Sequence, residues 1–153
     1  MNNQEVINQF YSSFKNGDPA GMIACYHNTV IFEDPAFGKL EGEKAKAMWQ
    51  MLLSKKEESE MSVSFSVLND NQAEWIANYK YGPNKKPVIN AVSASFVFED
   101  GKIIKHTDHF DLWKWSKQAL GAAGYLLGWS GFMKNKIQAT TNKLLNKYIQ
   151  SMD

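Results

Sequence analysis

The stretch KHTDHFD, residues 105–111, holds two imidazoles and two carboxylates, the groups that most often move protons in proteins. In an extended chain, His106 and Asp108 share one side and Lys105 the other. Because lysine is costly to bury, we predict that the His106–Asp108 side faces inward. That position predicts a general acid or base with a burial-shifted pKa. The alternative is a structural pair bonded to nearby backbone or tyrosines.

Asp34 is the second candidate acid or base. It ends the apolar stretch TVIFED and precedes Pro35, which fixes the chain where the carboxylate leaves the strand. This arrangement predicts a carboxylate at the rim of a cavity. An aspartate before a proline is also an ordinary turn starter, so this alternative stays open. We predict Asp34, His106 and Asp108 as catalytic residues.

Bulky aromatic residues occur on both the predicted helices and the predicted strands. They suit the lining of an apolar pocket for a ring-bearing ligand. The alternative is that they are ordinary core residues. The predicted substrate-pocket residues from this pattern are Trp49, Trp75, Tyr79 and Phe96.

Other chemistries find little support. The three histidines have no HxH or HxxxH spacing and there is no cysteine cluster, so we expect no metal. The chain contains neither an arginine nor a glycine-rich phosphate loop, which argues against phosphoryl chemistry, and we expect no cofactor. Cys25, predicted to lie on a helix, suits a small core residue better than a nucleophile. The net charge of +1 gives no sign of nucleic-acid binding.

The hydrophobic pattern predicts helices first, then a meander of strands, then helices again. Asp18 is the predicted N-cap of the second helix and Asp111 that of the first C-terminal helix. This order predicts an α+β fold in which a curved antiparallel sheet wraps around three N-terminal helices and leaves a concavity. The predicted helices cover residues 3–15, 18 to about 28, 43–56, 112–119 and 133–150. The predicted strands cover residues 29–34, 61–69, 72–81 and 88–99, and a last strand runs from residue 102 into the first C-terminal helix.

The C-terminal part differs in charge from the rest. Residues 112–153 carry six lysines and one acid, together with apolar residues such as Leu126, Leu127 and Trp129. We predict a helical extension that packs on the same domain or at a homodimer interface rather than on a membrane. The single cysteine and an N-terminus unlike a signal peptide predict a cytoplasmic protein.

The order and spacing of three segments resemble the nuclear transport factor 2-like superfamily, in the branch that groups SnoaL-like polyketide cyclases, ketosteroid isomerases and limonene-epoxide hydrolases. The segments are KNGDPAGMIACYHNTVIFEDPAFG, LEGEKA and FVFEDGKIIKHTDHFD, and the resemblance covers residues 4–112. It implies a cone-shaped, strongly curved sheet around three helices, enclosing a pocket for a small apolar molecule. The domains are then a cone at 1–112 and an extension at 113–153.

The stretch FEDPAFG is similar to the ketosteroid isomerase segment that holds the catalytic base, which implies a base at Asp34. Trp49 lies where that family has an aromatic pocket residue. The position of the oxyanion-hole tyrosine falls on Phe10, with Tyr11 one residue off, and both are predicted pocket residues. The partner aspartic acid falls near Ala94. With these donors missing, steroid isomerisation is not expected.

The stretch TDHFD is similar to the last-strand motif of limonene-epoxide hydrolases, with Asp108 at the aspartate position. That family bridges two aspartates with an arginine, for which His106 is the substitute here. His106 and Tyr79 are also similar in kind to residues around the scytalone dehydratase pocket. The resemblance implies a cofactor-independent isomerase, lyase or hydrolase. The alternative is a non-catalytic ligand-binding or protein-interaction module on the same fold.

Overall fold

The computed structural model describes residues 1–127 and 130–152, with only the backbone described at 125–127. Six helices and six strands are formed within these residues. The helices are α1 (Asn3–Lys15), α2 (Pro19–Ile23), α3 (Glu43–Ser54), α4 (Leu112–Leu120), α5 (Ala122–Leu127) and α6 (Gly131–Ser151). The strands are β1 (Tyr26–Asp34), β2 (Gly38–Glu41), β3 (Ser62–Asn69), β4 (Gln72–Tyr81), β5 (Lys86–Glu99) and β6 (Lys102–His109).

The strands form one curved, unclosed sheet in the order β2-β1-β6-β5-β4-β3. Neighbouring strands run antiparallel except β1 and β6, which are parallel and pair Phe32 with His106 and Glu33 with Thr107. The helices α1, α2 and α3 provide the predicted N-terminal set. The predicted α+β class, with a curved sheet and three N-terminal helices, is therefore confirmed.

The largest difference from the predicted elements lies between α2 and β1. The second helix ends at Ile23 rather than near residue 28, and Tyr26 begins a strand. The amide of Ile103 donates to the carbonyl of Cys25, and Tyr26 then pairs with Ile103. This long-range pairing outweighs the local preference for helix. The segment 38–41, assigned to neither helix nor strand from the sequence, forms β2, and a further helix, α5, lies between the two predicted C-terminal helices.

The predicted helix starts are confirmed by their side-chain caps. The Asp18 carboxylate accepts from the amide of Gly21, with Pro19 in the first turn, and the Asp111 carboxylate accepts from the amide of Lys114. Such caps satisfy amides that have no partner inside the helix. Asp111 is thereby fixed at the start of α4.

The core lies between the concave face of the sheet and helices α1 and α3. Along β4 the side chains alternate, with Ala73, Trp75 and Ala77 buried and their neighbours exposed. Phe10 and Trp49 bring the helices into this core, where their rings meet edge to face at 5.6 Å. The apolar faces of the N-terminal helices thus pack against the buried face of the sheet.

The C-terminal helices add to this core and form a second apolar cluster. Leu145 of α6 is fully buried in the main core. Trp115 of α4 and Met133 and Ile137 of α6 pack with Val88 of β5 in the second cluster. The side chains of Leu126, Leu127 and Trp129, predicted to add apolar surface, lie outside the described residues. Within the described helices, no segment has the length and apolarity required to cross a membrane.

Replacing Leu145 by alanine is expected to destabilise the whole protein, because it leaves a cavity in the shared core. We expect a loss of about 2–5 kcal/mol in the free energy of unfolding, measured by urea denaturation. Leu144→Ala is the matched control, since that side chain is 46% exposed, and it is expected to cost less than about 0.5 kcal/mol. Equal losses in the two variants would contradict the packing of α6 into the core.

Candidate active site

His106 and Asp108 point from β6 into the core, as the alternation along that strand predicts. His106 is fully buried and Asp108 is 2% exposed, whereas Lys105 and His109 are exposed. Nε2 of His106 lies 2.8 Å from Oδ1 of Asp108. The imidazole is packed against aromatic rings, with Phe96 at 4.5 Å between centroids. The pair is therefore enclosed in an apolar environment, where each member depends on the other for hydrogen bonding.

Tyr26 and Trp49 extend this pair into a chain of four side chains. The indole Nε1 of Trp49 donates to the hydroxyl of Tyr26 at 2.7 Å, and that hydroxyl lies 2.8 Å from Nδ1 of His106. An indole N–H can only donate, so the Tyr26 hydroxyl accepts the bond from Trp49 with one of its lone pairs. Both nitrogens of His106 are occupied, which suits a residue that orients Asp108.

Asp34 lies at the end of β1, where the strand turns. Its Oδ1 accepts two backbone hydrogen bonds, from Ala36 at 3.0 Å and from Phe37 at 2.6 Å. Burial raises the pKa of Asp34 to about 7, the two amide bonds oppose this rise, and the negative charge of Asp108 adds to it. Asp34 as a whole residue is partly exposed at the end of the strand.

The strand register brings the two carboxyl groups together. Phe32 pairs with His106 and Glu33 with Thr107, so Asp34 and Asp108 follow at the same end of two adjacent strands. Oδ2 of Asp108 makes no hydrogen bond with the described residues, and Asp34 takes part in no ion pair among them. All three predicted catalytic residues therefore lie on the neighbouring strands β1 and β6. The His106 imidazole contacts the Asp108 carboxylate.

Five of the six predicted pocket residues lie together in the main core, and their rings contact one another. Two buried donors in this group, the Tyr11 hydroxyl and Nε1 of Trp75, have no acceptor among the described residues. The rings of these two residues are 6.3 Å apart. Buried donors without a partner are uncommon in proteins, and a ligand or water oxygen is the usual explanation. The five residues are Phe10, Tyr11, Trp49, Trp75 and Phe96.

Tyr79, the sixth predicted pocket residue, lies closer to the second cluster. Its hydroxyl accepts from Nε1 of Trp115 at 2.6 Å, and its ring packs with that cluster, which includes Ala36 beside Asp34. Burial raises the pKa of Tyr79 to about 12, and the charge of Asp34 contributes to this rise. The Tyr79 hydroxyl therefore stays protonated, and it lies near the turn that follows Asp34.

Tyr26 and Trp115 were not predicted from the sequence, although each hydrogen-bonds to a predicted site residue. Tyr26 was assigned to a helix, yet in an extended strand its place four residues before Val30 puts both side chains on the same, inner side. That spacing is a signal only once the segment is known to be a strand, which depends on the pairing with Ile103.

One group among the described residues has the spacing of a metal site. It consists of His27, Glu99 and Asp100, whose ligand atoms lie within 4.8 Å of one another. His27 is partly exposed and the two acids are exposed, which is common for surface acids without a metal. This group shares no residue with the carboxyl pair.

The SnoaL-like domain family matches residues 7–106 of the chain. No curated protein sequence matches significantly. Similar solved structures include a candidate polyketide cyclase from Xanthomonas campestris, with 19% identity and a TM-score of 0.60 over 76% of this chain and 95% of that one. A candidate polyketide cyclase from Pseudomonas putida has 20% identity and a TM-score of 0.61, over 78% and 98% of the two chains.

A third similar structure is SalBIII, an epoxide hydrolase/cyclase-like enzyme of pyran ring formation in salinomycin. It has 14% identity and a TM-score of 0.58, over 72% of this chain and 91% of that one. At these identities the solved structures establish the common fold, and the sequence match establishes the family. The chain belongs to the SnoaL-like domain family of the nuclear transport factor 2-like superfamily.

Proposed function

We propose that the chain is a cofactor-independent isomerase or lyase that binds a small, mainly apolar molecule inside the cone. The observation that carries this proposal is the pair of carboxyl groups on adjacent strands. Asp34 has a pKa of about 7 and is partly accessible, and Asp108 is held by His106 in the buried interior. Groups with such different environments suit different roles in acid–base catalysis.

Asp34 is the proton carrier in this proposal. As a carboxylate it takes a proton from a carbon next to a carbonyl group, the electron pair of the C–H bond forms a C=C bond, and the C=O π pair moves onto the oxygen. As the carbonyl re-forms, the protonated Asp34 returns the proton to the far carbon of a conjugated double bond, which gives an isomer. Alternatively it gives the proton to a leaving group that departs from the adjacent carbon, which gives elimination. A pKa near the working pH suits a group that must gain and lose a proton in one cycle.

The oxygen of the ligand has donors available to it. The Tyr11 hydroxyl is fully buried without an acceptor among the described residues, and burial raises its pKa well above the ordinary value, so it remains a donor. The negative charge of Asp108 adds to that rise, which supports a position of the hydroxyl near the carboxyl pair. Trp75 adds a second unpartnered donor. Such donors stabilise the negative charge that develops on a carbonyl oxygen.

Hydrolysis of an epoxide is less well supported than isomerisation or elimination. The related hydrolases bridge two aspartates with an arginine, and this chain has none. Among the described residues no lysine forms an ion pair with Asp34 or Asp108. Without a bridging cation, a shared water between the carboxyl groups is poorly activated.

The family and the similar structures support a small-molecule ligand. Two of those structures are candidate polyketide cyclases, and a third acts in the formation of a pyran ring. Polyketides are rich in carbonyl groups, which fits the unpartnered donors Tyr11 and Trp75. The proposal requires no metal, cofactor or nucleic acid. Cys25, buried and bonded to the carbonyl of Gly21, is compatible with the expected cytoplasmic location.

The second candidate function is ligand binding without catalysis. It is favoured by the fact that both nitrogens of His106 are occupied, one by Tyr26 and one by Asp108. In that case the four-residue chain stabilises the core and the unpartnered donors hold a ligand that is not converted. The protein would then act as a carrier or a sensor of a small molecule.

We also propose that the chain forms a homodimer through the outer face of its sheet. Around Ile76, which is 41% exposed, this face presents serines of β3 and β5 and Ala91, together with the charged Glu74. Ile76→Lys is expected to raise the dimer dissociation constant at least about tenfold, because the interface would bury a charge. Analytical ultracentrifugation measures this constant. Leu144→Lys, on the exposed side of α6, is the matched control, and dissociation by that variant alone would place the interface at the C-terminal helices instead.

The raised pKa of Asp34 has a consequence for stability that needs no ligand. The folded protein holds this proton up to about pH 7, while the unfolded chain loses it near pH 4. Stability is therefore expected to fall as the pH rises through this window, by at most about 1.4 kcal/mol per pH unit from this group. Asp34→Asn should remove that slope and be more stable than the wild type at pH 8. Urea unfolding at pH 4, 6 and 8 measures the difference, and an unchanged slope would contradict the burial of Asp34.

Proton transfer can be tested with 1-tetralone, a small apolar ketone, as the probe. In D₂O near neutral pD, the wild type is expected to catalyse deuterium uptake next to the carbonyl group, measured by NMR. Asp34→Asn should lower the catalysed rate about 100-fold or more. Asp111→Asn is the control, because it changes an exposed cap in the same way.

Retention of the wild-type rate in both Asp34→Asn and Asp108→Asn would refute the acid–base proposal. Tight binding of the ketone to the wild type without deuterium uptake would favour the second candidate function.

A further inference from the structure

Helix α6 holds the turn that follows Asp34 by three side chains. Nε2 of Gln138 donates to the carbonyl of Pro35 at 3.1 Å. The hydroxyl of Thr141 donates to the carbonyl of Ala36 at 2.7 Å, and Nδ2 of Asn142 donates to the carbonyl of Phe37 at 2.8 Å. Positions 138, 141 and 142 share one helical face, and each bonds one of three consecutive carbonyls.

The same turn binds the carboxylate of Asp34 from its other side. The amides of Ala36 and Phe37 both donate to Oδ1. Because a peptide unit is planar and trans, its carbonyl and its N–H point in opposite directions. The carbonyl of Pro35 and the amide of Ala36 belong to one peptide unit, and the carbonyl of Ala36 and the amide of Phe37 belong to the next. Gln138 therefore sets the direction of the first donor, and Thr141 sets that of the second.

Gly38 allows this close approach of the turn to α6. Its φ of +75° lies in the region that favours glycine, and a Cβ built there would lie 3.2 Å from Oε1 of Gln138. Met133 and Ile137, two turns and one turn before Thr141, pack with Ala36 in the second apolar cluster and add cover on this side of the turn. Helix α6 thus contacts the turn through both polar and apolar side chains.

We propose that Gln138 and Thr141 of α6 are positioning residues for Asp34, which they act on through the peptide units of the turn 35–37. The SnoaL-like match ends at residue 106, so these two residues lie in a part of the chain that the family match does not include. The importance of this arrangement for activity rests on the proposed role of Asp34 as the proton carrier. The effect of these two side chains on the geometry of the turn is independent of the catalytic role of Asp34.

Thr141→Val removes the hydroxyl and keeps the shape of the side chain, so the cover over the turn is retained. The Phe37 amide is then no longer held towards Oδ1, and we expect its hydrogen exchange to accelerate at least about tenfold. Since that amide bond lowers the pKa of Asp34, its loss should raise the titration midpoint of the carboxyl above about 7 by about half a pH unit, or threefold in proton affinity.

Three variants make the result specific to the Thr141 hydroxyl. Thr140→Val is the matched control, because among the described residues the Thr140 hydroxyl bonds the carbonyl of Lys136 in its own helix and no part of the turn. Thr141→Ser restores a hydroxyl and should return both values to those of the wild type. Gln138→Met should accelerate exchange of the Ala36 amide rather than that of Phe37.

The other titrating groups that face Asp34 are Asp108, Glu33, Tyr26 and Tyr79, and the α6 side chains that bond the turn are uncharged.

The measurements are amide hydrogen exchange by NMR and a ¹³C titration of the Asp34 carboxyl in the intact protein. Faster exchange of the Phe37 amide with a raised midpoint in Thr141→Val, and neither change in Thr140→Val, is the expected result. Unchanged exchange, a midpoint that stays or falls, or equal effects in Thr140→Val would overturn the proposal. Neither measurement uses a ligand. The positioning role of Thr141 can therefore be confirmed while the ketone assay shows no proton transfer, or be contradicted while the ketone assay shows it.

Discussion

A buried carboxylate is the constraint on which the rest of this site depends. Asp108 is almost completely enclosed, and a charge in that position is tolerated only when its surroundings supply hydrogen bonds. His106 supplies one, and its own position is fixed in turn by Tyr26 and Trp49. The chain of bonds therefore joins β6 to β1 and α3, the elements that enclose the interior. Removal of Tyr26, His106 or Asp108 leaves a polar group without one of its partners in an apolar core, so stability and site geometry are coupled in this protein.

The parallel pairing of β1 with β6 links this buried carboxylate to Asp34. It brings Asp34 to the same end of the sheet as Asp108, where the chain leaves β1. This chain has no arginine, and the resemblance to ketosteroid isomerases places Phe10 at the position of the oxyanion-hole tyrosine. Unpartnered Tyr11 lies one residue away and is equally buried. A relative's reaction therefore cannot be transferred to this chain by fold alone.

The sequence predicted those features that depend on local pattern. The alternation along residues 105–111 was sufficient to place His106 and Asp108 inside, because Lys105 on the opposite side resists burial. Helix caps such as Asp111 were predictable for the same reason, since they act within one turn. Tyr26 was not, because its strand conformation comes from pairing with Ile103, far along the chain. The contact between Thr141 and the carbonyl of Ala36 spans 105 residues, and no local periodicity encodes it. The catalytic role of the three acid–base residues stays a prediction.

The row of hydrogen bonds from Trp49 to Asp108 holds the histidine at both of its nitrogens. An indole N–H is a donor without acceptor capacity, so the row ends at Trp49. His106 bonds Tyr26 through Nδ1 and Asp108 through Nε2. A bound molecule would therefore reach the imidazole only by breaking one of these bonds, which would leave a polar group unpaired in an apolar core.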